Sequence, residues 1–162
     1  MSSYTNQYDF IVCGSGAGGL SAAVFAALKG WKVLLLEESQ YIGGTTALAG
    51  GTTWAPLTSV GREVNDSDSR EAVSAFLDGT VGDASDKQAR ESFITHAAAA
   101  IETLQTKTRM EFRPCPKHPD YMWNASNATL NGRAIEPVPY RTAAMGKLRE
   151  LVRPPIPEFT VL

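Results

Sequence analysis

Cysteine and histidine are scarce: the 162 residues hold two cysteines, Cys13 and Cys115, and two histidines, His96 and His118. Two cysteines build no disulfide framework, and a reducing, cytoplasmic setting is the expected localisation. An excess of either charge is missing too. Lys and Arg total 15 against 17 Asp and Glu, a net charge of −2, which gives no electrostatic case for nucleic acid or an anionic membrane as partner. No segment approaches the roughly 20 apolar residues of a membrane span. The opening MSSYTNQYDF has no basic start, and its apolar run Phe10-Ile11-Val12-Cys13 is too short for the core of a secretion signal. No internal repeat is found. What remains is 43% hydrophobic and 20% charged, the composition of a folded chain long enough for one ordinary domain.

Glycine, by contrast, is placed in clusters. Residues 8–13 read YDFIVC, an apolar run with aromatic and β-branched members, and predict a buried parallel strand. Residues 19–30, GLSAAVFAALKG, place Leu20, Ala23, Val24, Ala27 and Leu28 at helical spacing, with Gly30 as a stop. Residues 31–38, WKVLLLEE, read as a second buried strand ending in acid. Between the first strand and the helix stands CGSGAGG, in which Gly14, Gly16 and Gly19 fit G-x-G-x-x-G. Gly14 permits the tight turn, Gly16 leaves room for a pyrophosphate, and Gly19 lets the helix close on the sheet. The first-turn N–H groups and the helix dipole then face an anion. Glu37 lies 18 residues past Gly19, where a carboxylate can accept the hydroxyls of an adenosine ribose and repel a 2′-phosphate. The order strand, glycines, helix, strand, acid predicts a dinucleotide-binding unit. An NAD-binding protein of Rossmann type and a purely structural glycine turn are the alternatives.

Residues 43–54, GGTTALAGGTTW, stay small and glycine-rich where a simple nicotinamide domain would start another helix. Such a segment can lie against an extended ligand, or be an ordinary loop. With it, GSGAGGLSAA, VLLLEE, IGGTTALAGGTTW and the later HPDY resemble the fumarate reductase/succinate dehydrogenase flavoprotein superfamily, and within it the 3-ketosteroid dehydrogenase-like enzymes. The resemblance runs along essentially the whole chain and is most specific over the first 54 residues. It implies an α/β fold, a Rossmann-like FAD-binding domain of the glutathione-reductase kind with a helical insertion. It implies FAD as cofactor, with Ser15, Gly16, Ala17 and Gly18 on the pyrophosphate and Glu37 on the ribose. Gly44, Thr45 and Thr46 would line the pyrophosphate and ribityl chain, and Ala49, Gly50 and Gly51 the isoalloxazine. Glu38 stands where the family often carries a basic residue. Relatives that attach FAD covalently use a histidine in this loop; none lies between 43 and 54, so the flavin is expected to be non-covalent.

Downstream, Ser69 before Ala72, Val73, Phe76 and Leu77 reads as a capped helix. A second helix is predicted over Lys87 to Lys107, burying Phe93, Ala97, Ala100, Ile101 and Leu104. Segments 1–54, 66–110 and 111–162 are thus expected as a nucleotide-binding part, a helical insertion and a loop-rich part. Cys115 and His118 stand at C-x-x-H spacing, but a metal site needs three or four ligands, so EFRPCPKHPDYMW reads as a proline-ordered loop and no metal is expected. In the steroid dehydrogenase relatives a tyrosine in a P-D-Y setting lines the substrate cavity and joins the network that removes a proton. Tyr121 is therefore the candidate catalytic residue, with a packing role as its alternative. A phenol ordinarily ionises near about pH 10 and needs a partner to act as a base. After NGRAIEPVPY, a turn and extended segment, a small helix is expected over 142–151. The resemblance implies further polypeptide beyond RPPIPEFTVL, a lobe capping the substrate and a segment closing the flavin site. The chain is accordingly expected to be the incomplete, FAD-binding part of a dehydrogenase acting on a C–C bond beside a carbonyl, its substrate a steroid or dicarboxylate. In isolation it would be inactive, a truncated or split flavoprotein completed by a second chain.

Overall fold

Phe10–Cys13 forms β1 and Val33–Leu36 forms β2, paired in parallel from Phe10↔Val33 to Cys13↔Leu36. The computed structural model that shows this describes residues 7–159. Residues 1–6 and 160–162, which fall in the opening MSSYTNQYDF and the closing RPPIPEFTVL, lie outside the described residues. The fold is mixed α/β, and the chain divides into two compact units: Met1–Gly51 with Tyr140–Leu162, and Thr52–Pro139.

In the first unit, helix α1 (Ala17–Leu28) connects the two strands. It starts two residues earlier than the periodicity predicts, because Gly16 sits in extended backbone (φ −69°, ψ −178°) and serves as its N-cap. Gly18 and Gly19 therefore lie inside the first turn. The strands are less buried than predicted. Val12 is buried and packs under α1, but Ile11 is 57% and Leu36 48% exposed. Strand side chains alternate between faces, and Ile11 and Leu36 lie on the face opposite Val12. Within α1 the buried residue is Ala26; Leu20 and Leu28 of the predicted stripe stay exposed. After β2 the chain makes a 3₁₀ turn at Thr46–Leu48. Far downstream, the small helix expected over 142–151 is present as 3₁₀ helix, Thr142–Leu151, kinked at Gly146 (φ 56°, ψ −131°). The residues that follow pair with the loop after β2: Ile42 N–H donates to Leu151 O at 2.6 Å, and Arg153 N–H donates to Ile42 O at 3.0 Å.

The second unit contains a sheet the sequence reading does not anticipate. β3 (Thr53–Trp54) and β4 (Phe112–Pro114) flank β5 (Ala134–Pro137), each antiparallel to it. Helix α2 (Ser59–Arg62) is capped by Thr58, whose side chain accepts from Gly61 N–H. Its close approach to the chain before β5 depends on Gly61, where a Cβ would stand 2.0 Å from Gly132 O. Ala55, Val60, Ile101 and Ile135 form the core here, with Phe112 against it. Helix α3 (Arg70–Thr80) begins at Ser69, which accepts from Ala72 N–H at 3.1 Å as predicted. Helix α4 (Lys87–Lys107) has the predicted bounds. Of the predicted stripe, Ile101 is buried and Ala97, Ala100 and Leu104 are half-buried, while Ile94 is buried in place of Phe93, which is 42% exposed and stacks on Trp54.

Candidate functional site

The turn from β1 into α1 is built from the predicted glycines, and the structure separates their roles. Gly14 has φ +94°, a backbone region that side chains disfavour, and its N–H donates to Leu36 O at 2.7 Å. Gly19 is held by close approach: a Cβ there would lie 1.9 Å from Gly14 O. Gly16 is different, since a Cβ would meet only Thr46 Oγ1, at 3.8 Å, an ordinary contact. The fold does not need a glycine at 16, and the space its missing side chain leaves is open. The first N–H groups of a helix have no intrahelical acceptor. Here Leu20 N–H, donating to Gly16 O, makes the first such bond, which leaves the amides of Gly16, Ala17, Gly18 and Gly19 without an intrahelical acceptor at the dipole's positive end. Ala17 N–H donates to Thr46 Oγ1 at 3.1 Å.

That contact brings the second glycine-rich loop onto the first. Gly44, at φ +54°, runs so close to Gly16 that a Cβ would stand 3.2 Å from Gly16 Cα. Thr45 accepts from Leu48 N–H and Thr46 from Ala49 N–H through their carbonyls, closing the 3₁₀ turn. Thr45, Ala49 and Gly50 are exposed beyond it, and Gly51 is half-buried.

Ser15 is 1% exposed and is the hub of the turn. Its N–H donates to Glu37 Oε2 at 2.9 Å, its hydroxyl donates to the same oxygen, and its Oγ accepts from Gly43 N–H at 3.0 Å. Glu37 Oε1 accepts from Ser39 N–H at 3.0 Å. These donors hold the Glu37 carboxyl down from 4.5 to about 2, the Ser15 hydroxyl contributing most. A carboxylate offers about four acceptor positions; three are taken, and the one left lies on Oε1. A cleft of about 490 Å³ opens where the strands end, lined by Cys13, Gly14, Leu36, Glu37 and Glu38. Ligands of open parallel α/β sheets bind outside the carboxyl ends of the strands, which is where this cleft lies. The arrangement offers the first-turn amides of α1 for an anion and an ionised acid with one free acceptor for a hydroxyl.

Ser39, Gly43 and Arg153 escape the sequence reading. Ser39 two residues after an acid is a capture pattern that could have been read. Nothing local in the sequence points to Arg153.

In the second unit, Tyr121 is 95% exposed on the rim of a cleft of about 300 Å³, shared with Lys117, His118, Pro119, Asp120 and Trp123. Its ring meets His118 edge-on, 6.3 Å between centroids. Its neighbour Asp120 is buried: Oδ1 accepts from Trp54 Nε1 at 2.7 Å, and Oδ2 accepts from Thr129 N–H at 2.9 Å and Arg133 Nη1 at 3.0 Å. Arg133, 1% exposed, also forks onto Asp68 through Nε at 2.9 Å and Nη2 at 2.7 Å. Cys115 and His118 are not joined into a ligand set. The Cys115 thiol contacts Glu136 Oε2 at 3.8 Å, and burial, followed by the Glu136 charge, pushes its pKa up.

The chain is similar to known proteins. Residues 9–156 match the family described as FAD binding domain. The chain is 35% identical over 153 residues to 4-oxocyclohex-2-ene-1-carboxylate 5-dehydrogenase of Sinomonas cyclohexanicum, an alignment covering 94% of this chain and 26% of the relative. It is 32% identical over 148 residues to 3-oxosteroid 1-dehydrogenase of Rhodococcus opacus, covering 91% of this chain and 29% of the relative. Among solved structures it superposes with a TM-score of 0.86 and 31% identity on the 3-ketosteroid Δ1-dehydrogenase of Sterolibacterium denitrificans in complex with 1,4-androstadiene-3,17-dione, covering 92% of this chain and 26% of that one. The chain thus spans little more than a quarter of the length of these relatives.

Proposed function

The chain belongs to the FAD binding domain family, with FAD as its cofactor, and from that premise we propose that it is the FAD-holding part of a dehydrogenase acting on a C–C bond beside a ring carbonyl. The fold we propose is the Rossmann-like, glutathione-reductase-like version of that domain. In this reading Gly14, Ser15, Gly16, Ala17, Gly18 and Gly19 form the pyrophosphate turn and Glu37 grips the adenosine ribose, with Glu38 on the wall of the same cleft. Gly44, Thr45 and Thr46 cover the pyrophosphate, and Ala49, Gly50 and Gly51 lead toward the flavin ring. The observation that carries the reading is Gly16: open space at the N-terminus of α1, at a position where the fold itself would accept a side chain. Phosphate, whose approach a Cβ would block, explains the glycine.

Bound FAD supplies a hydride acceptor. The protein's share is to orient the substrate, exclude water and take the proton from the carbon next to the carbonyl. Tyr121 is the residue we assign to that proton. Its exposed phenol on a cleft shared with Lys117 and His118 supports the role. The names of both relatives above specify an oxo group on a ring, so a cyclic ketone of steroid or oxocyclohexane type is the substrate we propose in the complete protein. The dicarboxylate alternative has no such support.

A second reading concerns completeness. Parallel sheets are normally covered on both faces, yet Ile11 and Leu36 stand exposed on the β1–β2 pair. We propose that further polypeptide, in the same chain or a second one, covers this face and that turnover requires it.

The test is to incubate the chain with FAD, remove the excess by gel filtration and record the visible spectrum. A retained flavin band in the chain, lost in Gly16→Val with an unchanged melting temperature, is expected. Stoichiometric FAD in Gly16→Val, or NADH binding with no flavin retained, would overturn the cradle assignment; the latter would favour the nicotinamide alternative.

A further inference from the structure

Glu37 can accept from a ribose only if its carboxylate is presented with Oε1 toward the cleft. Oε2 is occupied by Ser15. The direction of Oε1 is set by the Ser39 amide at 3.0 Å, which belongs to the turn 37–41. That turn is held from two sides. Ser39 Oγ donates to Tyr41 O at 2.6 Å and accepts from Tyr41 N–H at 3.1 Å. It also accepts from Arg153 Nη2 at 3.2 Å. Arg153 comes from the segment that pairs through its backbone with Ile42 on both sides, as a parallel bridge. Its Nε is enclosed and has no hydrogen-bond partner, and Nη2 attaches the guanidinium to the turn at Ser39. A residue 114 positions from Ser39 in sequence thus reaches the carboxylate through one hydroxyl and one amide.

We propose that Ser39 and Arg153 are positioning residues for Glu37, which tie recognition of the adenosine ribose to the segment around residue 153. The inference rests on the reading of Glu37 as the ribose acid and adds to it which residues fix that acid's free acceptor. Neither residue touches the ligand. Removing the Ser39 hydroxyl releases both the Tyr41 contacts and Arg153, and lets the turn and its amide drift from Oε1. Removing the Arg153 guanidinium frees one side of the same turn and leaves the cleft walls in place.

The experiment is calorimetric titration of the chain and its variants with ADP and with 2′,3′-dideoxy-ADP, which lacks both ribose hydroxyls. Hydrogen bonds to a charged group predict that the unsubstituted chain binds ADP at least about tenfold more tightly than the dideoxy compound. Ser39→Ala and Arg153→Ala should bring ADP affinity down toward the dideoxy value while leaving dideoxy-ADP unchanged; Ser39→Thr, which keeps the hydroxyl, should retain the preference. An equal loss for both ligands, or an undiminished preference for ADP in the alanine variants, overturns the positioning role and spares the ribose reading. Equal affinity of the unsubstituted chain for the two ligands overturns the ribose reading and the positioning role with it. Should an alanine variant fail to fold by circular dichroism, Ser39→Cys decides: it preserves size but weakens the hydrogen bonds, and an undiminished preference there overturns the proposal.

Discussion

Glu37 and Asp120 are both carboxylates held by three or more hydrogen bonds, yet they are built for opposite ends. Every donor to Glu37 is neutral: one hydroxyl and two amides. Asp120 receives a guanidinium as well as the Trp54 indole and the Thr129 amide. Neutral donors stabilise the charge without cancelling it, so Glu37 presents a full negative charge beside an open cleft. Arg133 spends its charge on Asp68 and Asp120 together, and the cluster is closed to solvent. The difference lies in the charge left over: Asp120 has none to offer, whereas Glu37 keeps its own for the ligand that the proposed reading assigns to it.

The comparison is broken most severely at Arg133. Arg133→Ala would leave Asp68 and Asp120 buried without their cation, a loss of about 3–5 kcal/mol by the measured behaviour of broken buried pairs. Urea denaturation should show the second unit destabilised or unfolded; a shift below about 1 kcal/mol would mean that the cluster is wetter than the buried side chains indicate.

Next in size is the contrast between two glycines of one motif. Gly19→Ala drives a Cβ into Gly14 O at 1.9 Å, and backbone cannot give way as a flexible side chain can. Overpacking of this kind costs about 1–3 kcal/mol or more, read as a lower melting temperature with or without cofactor. Gly16→Ala meets Thr46 Oγ1 at 3.8 Å and should leave the melting temperature of the cofactor-free chain within a degree or two of the unsubstituted one, given the roughly ±0.5 kcal/mol typical of surface changes. If both substitutions destabilise alike, the separation of packing from binding at this turn is wrong.

How far these distinctions were legible beforehand follows from distance along the chain. The β1–α1–β2 unit and Glu37 are readable because glycine spacing, apolar periodicity and a terminal acid act within 30 residues. Helix α3 was readable from its Ser69 cap. The β3–β5–β4 sheet was not, because strands of two to four residues are too short to show alternation. The Arg133–Asp68 pair joins positions 65 apart, and no local pattern states which charges will meet. Asp120 is the instructive case. In sequence it is merely the residue before Tyr121; in the fold it anchors the loop that carries the tyrosine. In α4 only Phe93 departs from the predicted stripe: neighbouring Ile94 is buried instead, and the Phe93 ring stacks on Trp54 from another element.

A smaller effect lies in pH. Because Glu37 is held at about 2 in the fold against an ordinary 4.5, its folded-state pKa is depressed. Its contribution to stability is present above pH 4.5 and is lost as the pH falls through the interval down to about 2. Acid unfolding of Glu37→Gln should therefore lag the unsubstituted chain's loss of stability over that interval and match its pH dependence above it. Ribose recognition should likewise persist from neutrality to pH 4, where an ordinary glutamate would be mostly protonated. A preference for ADP over dideoxy-ADP that fades with a midpoint near 4.5 would show that the Ser15 and Ser39 contacts do not hold the acid.

The finest test falls on Thr46, where the two glycine loops meet. Its Oγ1 accepts from Ala17 N–H at 3.1 Å, the service an N-cap side chain performs for a helix whose own cap, Gly16, has none. That acceptor role leaves the hydroxyl proton available to donate. Thr46→Val removes both functions at nearly constant volume. Loss of a cap bond at an exposed site costs about 0.5–1 kcal/mol, and loss of one hydroxyl donor to a phosphate should weaken FAD binding by up to about tenfold. Thr46→Ser keeps the oxygen and should restore both. If Thr46→Val lowers the melting temperature but leaves FAD affinity intact, the hydroxyl serves the helix alone. The loop from Gly44 to Thr46 would then be a brace for the turn rather than a wall of the cofactor site.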